Sequence, residues 1–441
     1  MNRKYPMIVA AVAVAMASGY ATAVVPTLAQ AANPTASLVI AGSSAAAAGV
    51  NAAIQTNLCG GAANTLIASS KGGSGNFLAN SCFTAVAIPN LPANTLVTIY
   101  YRTEGGSVVG ALPVVSNKAI KRLNLADASC GVVGNVATCT VNGTTSVTGT
   151  TDAWTGAVTA DTVQLGVTDV EPAQLTNADF PSNYSSAAFG TATPAQLKQL
   201  TTVRLFDQVF GLLVNKQGQS FSTVSLTKES AANILLGNLS DWANVPDLLG
   251  NPISSASSPI TRINREPGSG TRTATNIFFL NYQCGSPASI PPVTGETLNF
   301  STGEELTAAN NTPGSIAYAS IDQILNPANG TKFPNLVLAS LDGVSPTNLA
   351  AATGQYGFWF EATLVPETGV TGGSLALSTY LQTNLPKLAL APSIPDVLAI
   401  PGVGGNVATT PLTTRGTGTA EIYVNPYSRG GNSCSVPGSQ I

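Results

Sequence analysis

Histidine is missing from all 441 residues of this chain. Its absence removes Ser-His-Asp hydrolases, Cys-His proteases and any histidine-ligated zinc. Charge is scarce as well. Lys and Arg number 18 and Asp and Glu 21, together 9% of the residues, for a net charge of −3, where about 25% charged residues is ordinary. Such a chain has no cationic footprint for nucleic acid. None of the six cysteines forms a Cys-x-x-Cys pair, so no metal-ligating motif is present. After the N-terminus no apolar run reaches the ~20 residues that a membrane helix needs. The best one, Leu388–Ile400, is interrupted by Pro392 and Pro395. With no histidine to serve as base and no metal-ligating motif, little material for catalysis is left, and the chain reads as a non-enzyme, without catalytic residues, metal or cofactor.

What fills the composition is Ala, Thr, Gly, Asn and Ser, with a normal hydrophobic share of 44%. This describes a globular protein with an uncharged polar surface. The first residues look like an export signal. Arg3 and Lys4 precede the apolar run Met7–Ser18, and Ala29-Gln30-Ala31 is a small-x-small triplet, so residues 1–31 are expected to be removed. No cysteine follows that triplet directly, which argues against a lipid anchor. The expected location is therefore periplasmic or secreted. Export favours disulfides. Neighbour order along the chain favours Cys59–Cys82, Cys130–Cys139 and Cys284–Cys434, with some cysteines left free as the alternative.

The most informative stretch is Arg262 to Phe279, RINREPGSGTRTATNIFF. An apolar, β-branched segment leads into a Gly-Ser-Gly-Thr turn, and Ala274, Ile277 and Phe278 then recur at helical spacing. A strand, a small-residue turn and a helix present free helical N–H groups at the positive end of the helix dipole, which suits an anion. Ser269 and Thr271 add hydroxyls, and Arg265 adds a planar fork that matches a tetrahedral oxyanion. An ordinary capped helix is the plainer reading of the same residues. Arg272, inside the helix, is a second cation.

Two further units repeat this chemistry. Ser37–Ala41 runs into Gly42-Ser43-Ser44 and an alanine-rich helix. Leu96–Tyr101 runs into Thr103-Glu-Gly-Gly-Ser107 and an apolar segment. Val163–Thr168 reads as a strand ended by Asp169, and Val203–Asn215 as a long strand continuing between two domains. Such units imply an α/β architecture with its site at strand C-termini. Lys71-Gly-Gly-Ser-Gly75 lacks a preceding strand and the Lys-Ser/Thr pair of a phosphate-binding loop, and reads as a plain loop. Trp242 and Tyr318 read as core.

In order, AGSS at 41–44, YRTEGGSVVG at 101–110, VTDVEP at 167–172, LTKESAANILLGNLSDW at 226–242, REPGSGT at 265–271, TPGSIAY at 312–318 and DGVSPT at 342–347 resemble the phosphate-binding proteins of ABC transporters, within the type 2 periplasmic binding protein superfamily. The likeness spans Leu38 to Leu364. The aspartate that the family places two residues after its loop arginine is Pro267 here. The resemblance implies a two-lobed α/β fold with hinge strands, carrying here a β-rich insertion at about 111–160 and a C-terminal extension. Lobe 1 would comprise 32–209 and the return 320–441, and lobe 2 would be 210–319. It implies a monomer that captures phosphate or a similar oxyanion in the interlobe cleft and delivers it to an ABC transporter membrane complex. The ligand groups would be Ser43, Ser44, Ser107, Asp169, Arg265, Ser269, Gly270 and Thr271, with Asp169 accepting the proton of a monohydrogen phosphate. The alternative is a secreted or surface protein of the same fold, with a structural or adhesive role and a degenerate anion site.

Overall fold

The structure is a computed structural model that describes residues 24–71, 76–143, 152–175, 186–282, 284, 296–325, 332–388, 397–400 and 423–439. The loop at 71–75 therefore lies almost wholly outside the described residues, as do most of the expected export signal and the tail at 401–422.

One strand organises the molecule. Val203–Asn215 alternates through a hydrophobic sequence and is buried along nearly its whole length. Its first part, Val203 to Val209, pairs antiparallel with Trp359–Pro366. Its second part, Phe210 to Val214, pairs antiparallel with Ser315–Ser320. The strand thus changes partners midway and joins two half-sheets into one mixed sheet.

In the first half, Ala36–Gly42 lies between the parallel strands Leu96–Arg102 and Leu165–Thr168. Their apolar runs suit a parallel sheet covered on both faces. In the second half, Thr261–Arg265 is parallel to both Ser315–Ser320 and Glu296–Asn299. After Ser320, Leu336–Leu338 pairs with the distal end of the long strand, and Ser340–Leu341 with Ser225–Leu226. The segment stays with the second half because its backbone finds partners there. Trp359–Pro366 brings the chain back.

The 111–160 region contributes to the main sheet. The Ser107–Ser116 helix occupies its start. Val136–Asn142 then adds to the main sheet beside Leu66–Lys71, parallel to it, and Gly131–Val133 forms the edge. The N-terminal segment is also built in. Leu28–Ala32 is a helix with a Thr27/Gln30 capping box, Ala31 is fully buried, and Thr98 Oγ1 donates 2.8 Å to the Ala31 carbonyl.

The cysteines form Cys59–Cys82, Cys130–Cys139 and Cys284–Cys434. The last closes 150 residues, a constraint on the unfolded chain that contributes on the order of 5 kcal/mol in the chain-entropy picture. Among the described residues no helix is long and apolar enough to cross a membrane.

Candidate functional site

Three strand–turn–helix units converge where the half-sheets meet. Ser107–Ser116 follows Leu96–Arg102, Gly270–Leu280 follows Thr261–Arg265, and Thr302–Asn311 follows Glu296–Asn299. The Ser107–Ser116 helix starts at Gly106 without a side-chain cap, whereas the other two start at polar caps, which take up first-turn N–H groups that lack helical partners. Ser269 Oγ accepts from Arg272 N, and Ser301 forms a capping box with Glu304. Ser43, after Ala36–Gly42, accepts 2.9 Å from Ala46 N.

At the centre sits Asp169, 2% exposed. Its carboxylate accepts from Ser43 Oγ and, at 3.1 Å, from Thr271 Oγ1. Its own N–H donates 3.0 Å to Ser107 Oγ. Burial pushes its carboxyl above the ordinary range, opposed by the Ser43 bond, the charge of Arg265 and the hydroxyls of Thr271 and Ser107.

The halves touch here at several points. Val108 N–H, in the first turn of its helix, donates 3.0 Å to the Gly268 carbonyl across the boundary. Ser44 Oγ lies 3.0 Å from Thr302 Oγ1 and accepts 3.2 Å from Thr302 N. Gly106, at φ 71°, sits so close to the other half that a Cβ there would fall 2.9 Å from Ser269 Cα. Only glycine fits both the dihedral and the approach.

Arg265 is 1% exposed. Its guanidinium donates to the Asn299 carbonyl at 3.3 Å, the Phe300 carbonyl at 3.0 Å and Thr302 Oγ1 at 2.9 Å. These partners orient it where Pro267 offers no carboxylate. Arg272 reaches back to the same strand end and donates 2.6 Å to the Arg265 carbonyl. Beneath them Glu305, fully buried, accepts 3.1 Å from Tyr318 N. Burial raises its carboxyl to about 8, against the pull of Arg265, the Tyr318 N–H and Arg272.

All eight residues named from the sequence are thus gathered at or beside one point. Ser43, Ser107, Asp169 and Thr271 are bonded to one another. Gly270 packs on Ser107 and Asp169. Ser269 caps the helix, and Ser44 and Arg265 meet at Thr302. Sequence reasoning missed Thr302 and Glu305. The signal was present in Ser301-Thr-Gly-Glu304, an S-x-x-E capping box that opens a helix. No group of three or more His, Cys, Asp or Glu that could hold a metal ion occurs among the described residues.

No protein-family model matches this chain, and no curated protein matches its sequence. Among solved structures it is similar to phosphate-binding proteins of ABC transporters. One, from Clostridium perfringens, is described as a phosphate ABC transporter substrate-binding protein and was solved with bound phosphate. It is 14% identical, with a TM-score of 0.46, over 82% of this chain and 99% of that one. A high-affinity periplasmic phosphate-binding protein with bound phosphate is 13% identical, with a TM-score of 0.44, over 82% of this chain and 91% of that one. An ABC-type phosphate transport receptor from Vibrio cholerae is 15% identical, with a TM-score of 0.34, over 52% of this chain and 78% of that one. At these identities the likeness concerns the fold, and the ligand reading below rests on this chain's own geometry.

Proposed function

We propose that this chain is an exported solute-binding protein for phosphate or a closely similar oxyanion, held between the two halves for uptake by a membrane transporter. One observation carries the reading. Three helix N-termini, a buried arginine and a buried carboxylate converge at the boundary of two half-sheets that share a single crossing strand. Helix N-termini and a guanidinium supply donors and positive potential without mobile counterions. A carboxylate among them repels a fully ionised oxyanion and accepts a bond from one that retains a proton. In the geometry described, the Asp169 carboxylate itself takes the donors of Ser43 and Thr271. The anion therefore enters when the halves part, and displaces these bonds.

A second reading keeps the fold and gives the protein a structural or adhesive role. It is favoured by the same tight closure, which leaves no room for an anion between Gly270 and Ser107. Equilibrium dialysis against radiolabelled phosphate, with sulfate as competitor, separates the two. The first expects saturable binding that sulfate does not displace and that Arg265→Ala abolishes. No saturable binding by the folded protein, either oxidised or in dithiothreitol, sinks it and leaves the second.

A further inference from the structure

The last disulfide joins two regions that flank the site from opposite halves. Cys284 N–H donates 3.3 Å to the Asn281 carbonyl, directly at the C-terminal end of the Gly270–Leu280 helix, whose first turn carries Thr271. Cys434 belongs to the C-terminal tail, which is bonded to the first half. Asn425 Nδ2 donates 2.6 Å to Asp207, Arg429 N donates 2.8 Å to Glu361, and Arg429 Nη2 donates 3.2 Å to the Trp359 carbonyl. Beside Cys434, Ser433 Oγ accepts 3.1 Å from Glu171 N, two residues beyond Asp169. The result is a closed circuit. It runs from Asp169 to Glu171, through Ser433 and Cys434 to Cys284, along the helix, and back from Thr271 to Asp169.

We infer that the Cys284–Cys434 disulfide is a strap that holds the two halves shut over the site, and that its reduction frees them to part. For the halves to separate at Thr271 and Asp169, the Gly270–Leu280 helix must move away from the first half. The disulfide fixes the far end of that helix to the first half, so only the weaker noncovalent links remain to give. Access fits the role. Both sulfur-bearing residues of this bridge, Cys284 and Cys434, are partly exposed, whereas Cys59 and Cys82 are both buried and the third bridge has one partly exposed partner, Cys130, and one fully buried, Cys139. Thiol–disulfide exchange needs a thiolate to reach a sulfur along the S–S axis. A dithiol attacks one sulfur and breaks the Cys284–Cys434 bond. Its second thiol then closes on the mixed disulfide. The dithiol loses two electrons and two protons to become a cyclic disulfide, and Cys284 and Cys434 gain them as two thiols.

The test reads motion, so its outcome is separate from whether phosphate binds. Hydrogen exchange is followed by mass spectrometry on the full oxidised chain, on the same chain in dithiothreitol, and on Cys434→Ser. Alkylation before digestion identifies which cysteines were reduced. At limiting dithiothreitol Cys284 and Cys434 are alkylated first. Peptides spanning 266–275 and 168–172 then exchange about tenfold faster or more, as expected for an opened local unit, while those spanning 36–42 and 96–102 keep their rates. Unchanged exchange at 266–275 with the bridge shown to be reduced overturns the inference. So does uniform loss of protection, strand 96–102 included, because the bridge would then be holding the fold and not a strap. Should Cys434→Ser not fold, the dithiothreitol series on the native chain decides alone.

Discussion

Gly270 and Ser107 come from opposite halves of the sheet, yet a Cβ on Gly270 would lie 2.1 Å from Ser107 Oγ and 2.9 Å from Asp169 Cβ. The seam is closed to the limit of a hydrogen atom. Gly270→Ala gains helix propensity, about 1 kcal/mol, but drives a methyl into a hydroxyl and a backbone-anchored carbon. Overpacking of this kind typically costs about 1–3 kcal/mol, so a net loss is expected in urea unfolding. Ser107→Ala in the same chain removes the nearest obstacle and recovers part of that loss. Additive effects in this double-mutant cycle would show that the two residues do not press on each other.

Glu305 sets a pH dependence of stability. Burial raises its carboxyl to about 8, and the buried Asp207 is raised to about 6. Between an ordinary carboxyl value of about 4 and these raised values the folded protein holds protons that the unfolded chain has released. Stability from both groups is therefore fully present below about pH 4 and is lost as pH rises through 6 and then 8. The thermal midpoint is expected to be higher at about pH 5.5 than at about pH 8.5. Glu305→Gln flattens the upper part of that slope. The lowered carboxyls of Asp127, Asp241 and Asp247 act below their ordinary value, outside this window. A wild-type midpoint that climbs from pH 6 to 8 contradicts the assignment.

Arg102 holds a buried charge cluster at the foot of the turn that leads to Ser107. It is fully buried, pairs with Glu104 at 2.7 Å and with Asp152, and lies between the rings of Phe77 and Phe189 at 5.1 and 5.2 Å. Trp154 Nε1 donates 2.7 Å to Glu104. Arg102→Met strands two carboxylates, a change that typically costs about 3–5 kcal/mol. Adding Glu104→Gln and Asp152→Asn is expected to restore most of it, measured by denaturant midpoint. A single-variant loss under about 1 kcal/mol means the cluster is solvated in solution.

The packed N-terminus constrains where the expected export signal could be cut. Cutting before Ala32 would strip the Thr27 cap and sever Ala31 from Thr98. Ala21-Thr22-Ala23 is another small-x-small triplet further upstream. Intact-mass measurement of the exported protein is expected to place its first residue before Thr27. Deleting residues 24–31 from that form is expected to cost about 2 kcal/mol through lost apolar burial. A mature chain that starts at Ala32 with unchanged stability refutes this.

Much of the architecture was readable residue by residue. Strand, small-residue turn and capped helix are local chemistry, so the units at Ser43, Ser107 and Gly270 and the length of Val203–Asn215 could be read without coordinates. The cysteine order pointed to the bridges for the same reason: the two short loops join sequence neighbours and leave one remaining pair. Three features were not readable. They are the orientation of Arg265 by carbonyls from 299 and 300, the pairing of Leu336–Leu338 with the distal end of Val203–Asn215 and the self-occupied state of Asp169.

Composition and short-range pattern determined by themselves that this chain has no histidine chemistry and little charge, and that its strands end in anion-friendly turns. Those properties depend on residue identity and on neighbours within one turn of helix or one strand. Tertiary structure alone decided that the turns face one another closely enough for a protein carboxylate to fill the place between them. That outcome depends on pairing between residues such as Asp169 and Thr271, 102 positions apart. No local pattern encodes such a distance, since it is set by how two half-sheets twist about one shared strand.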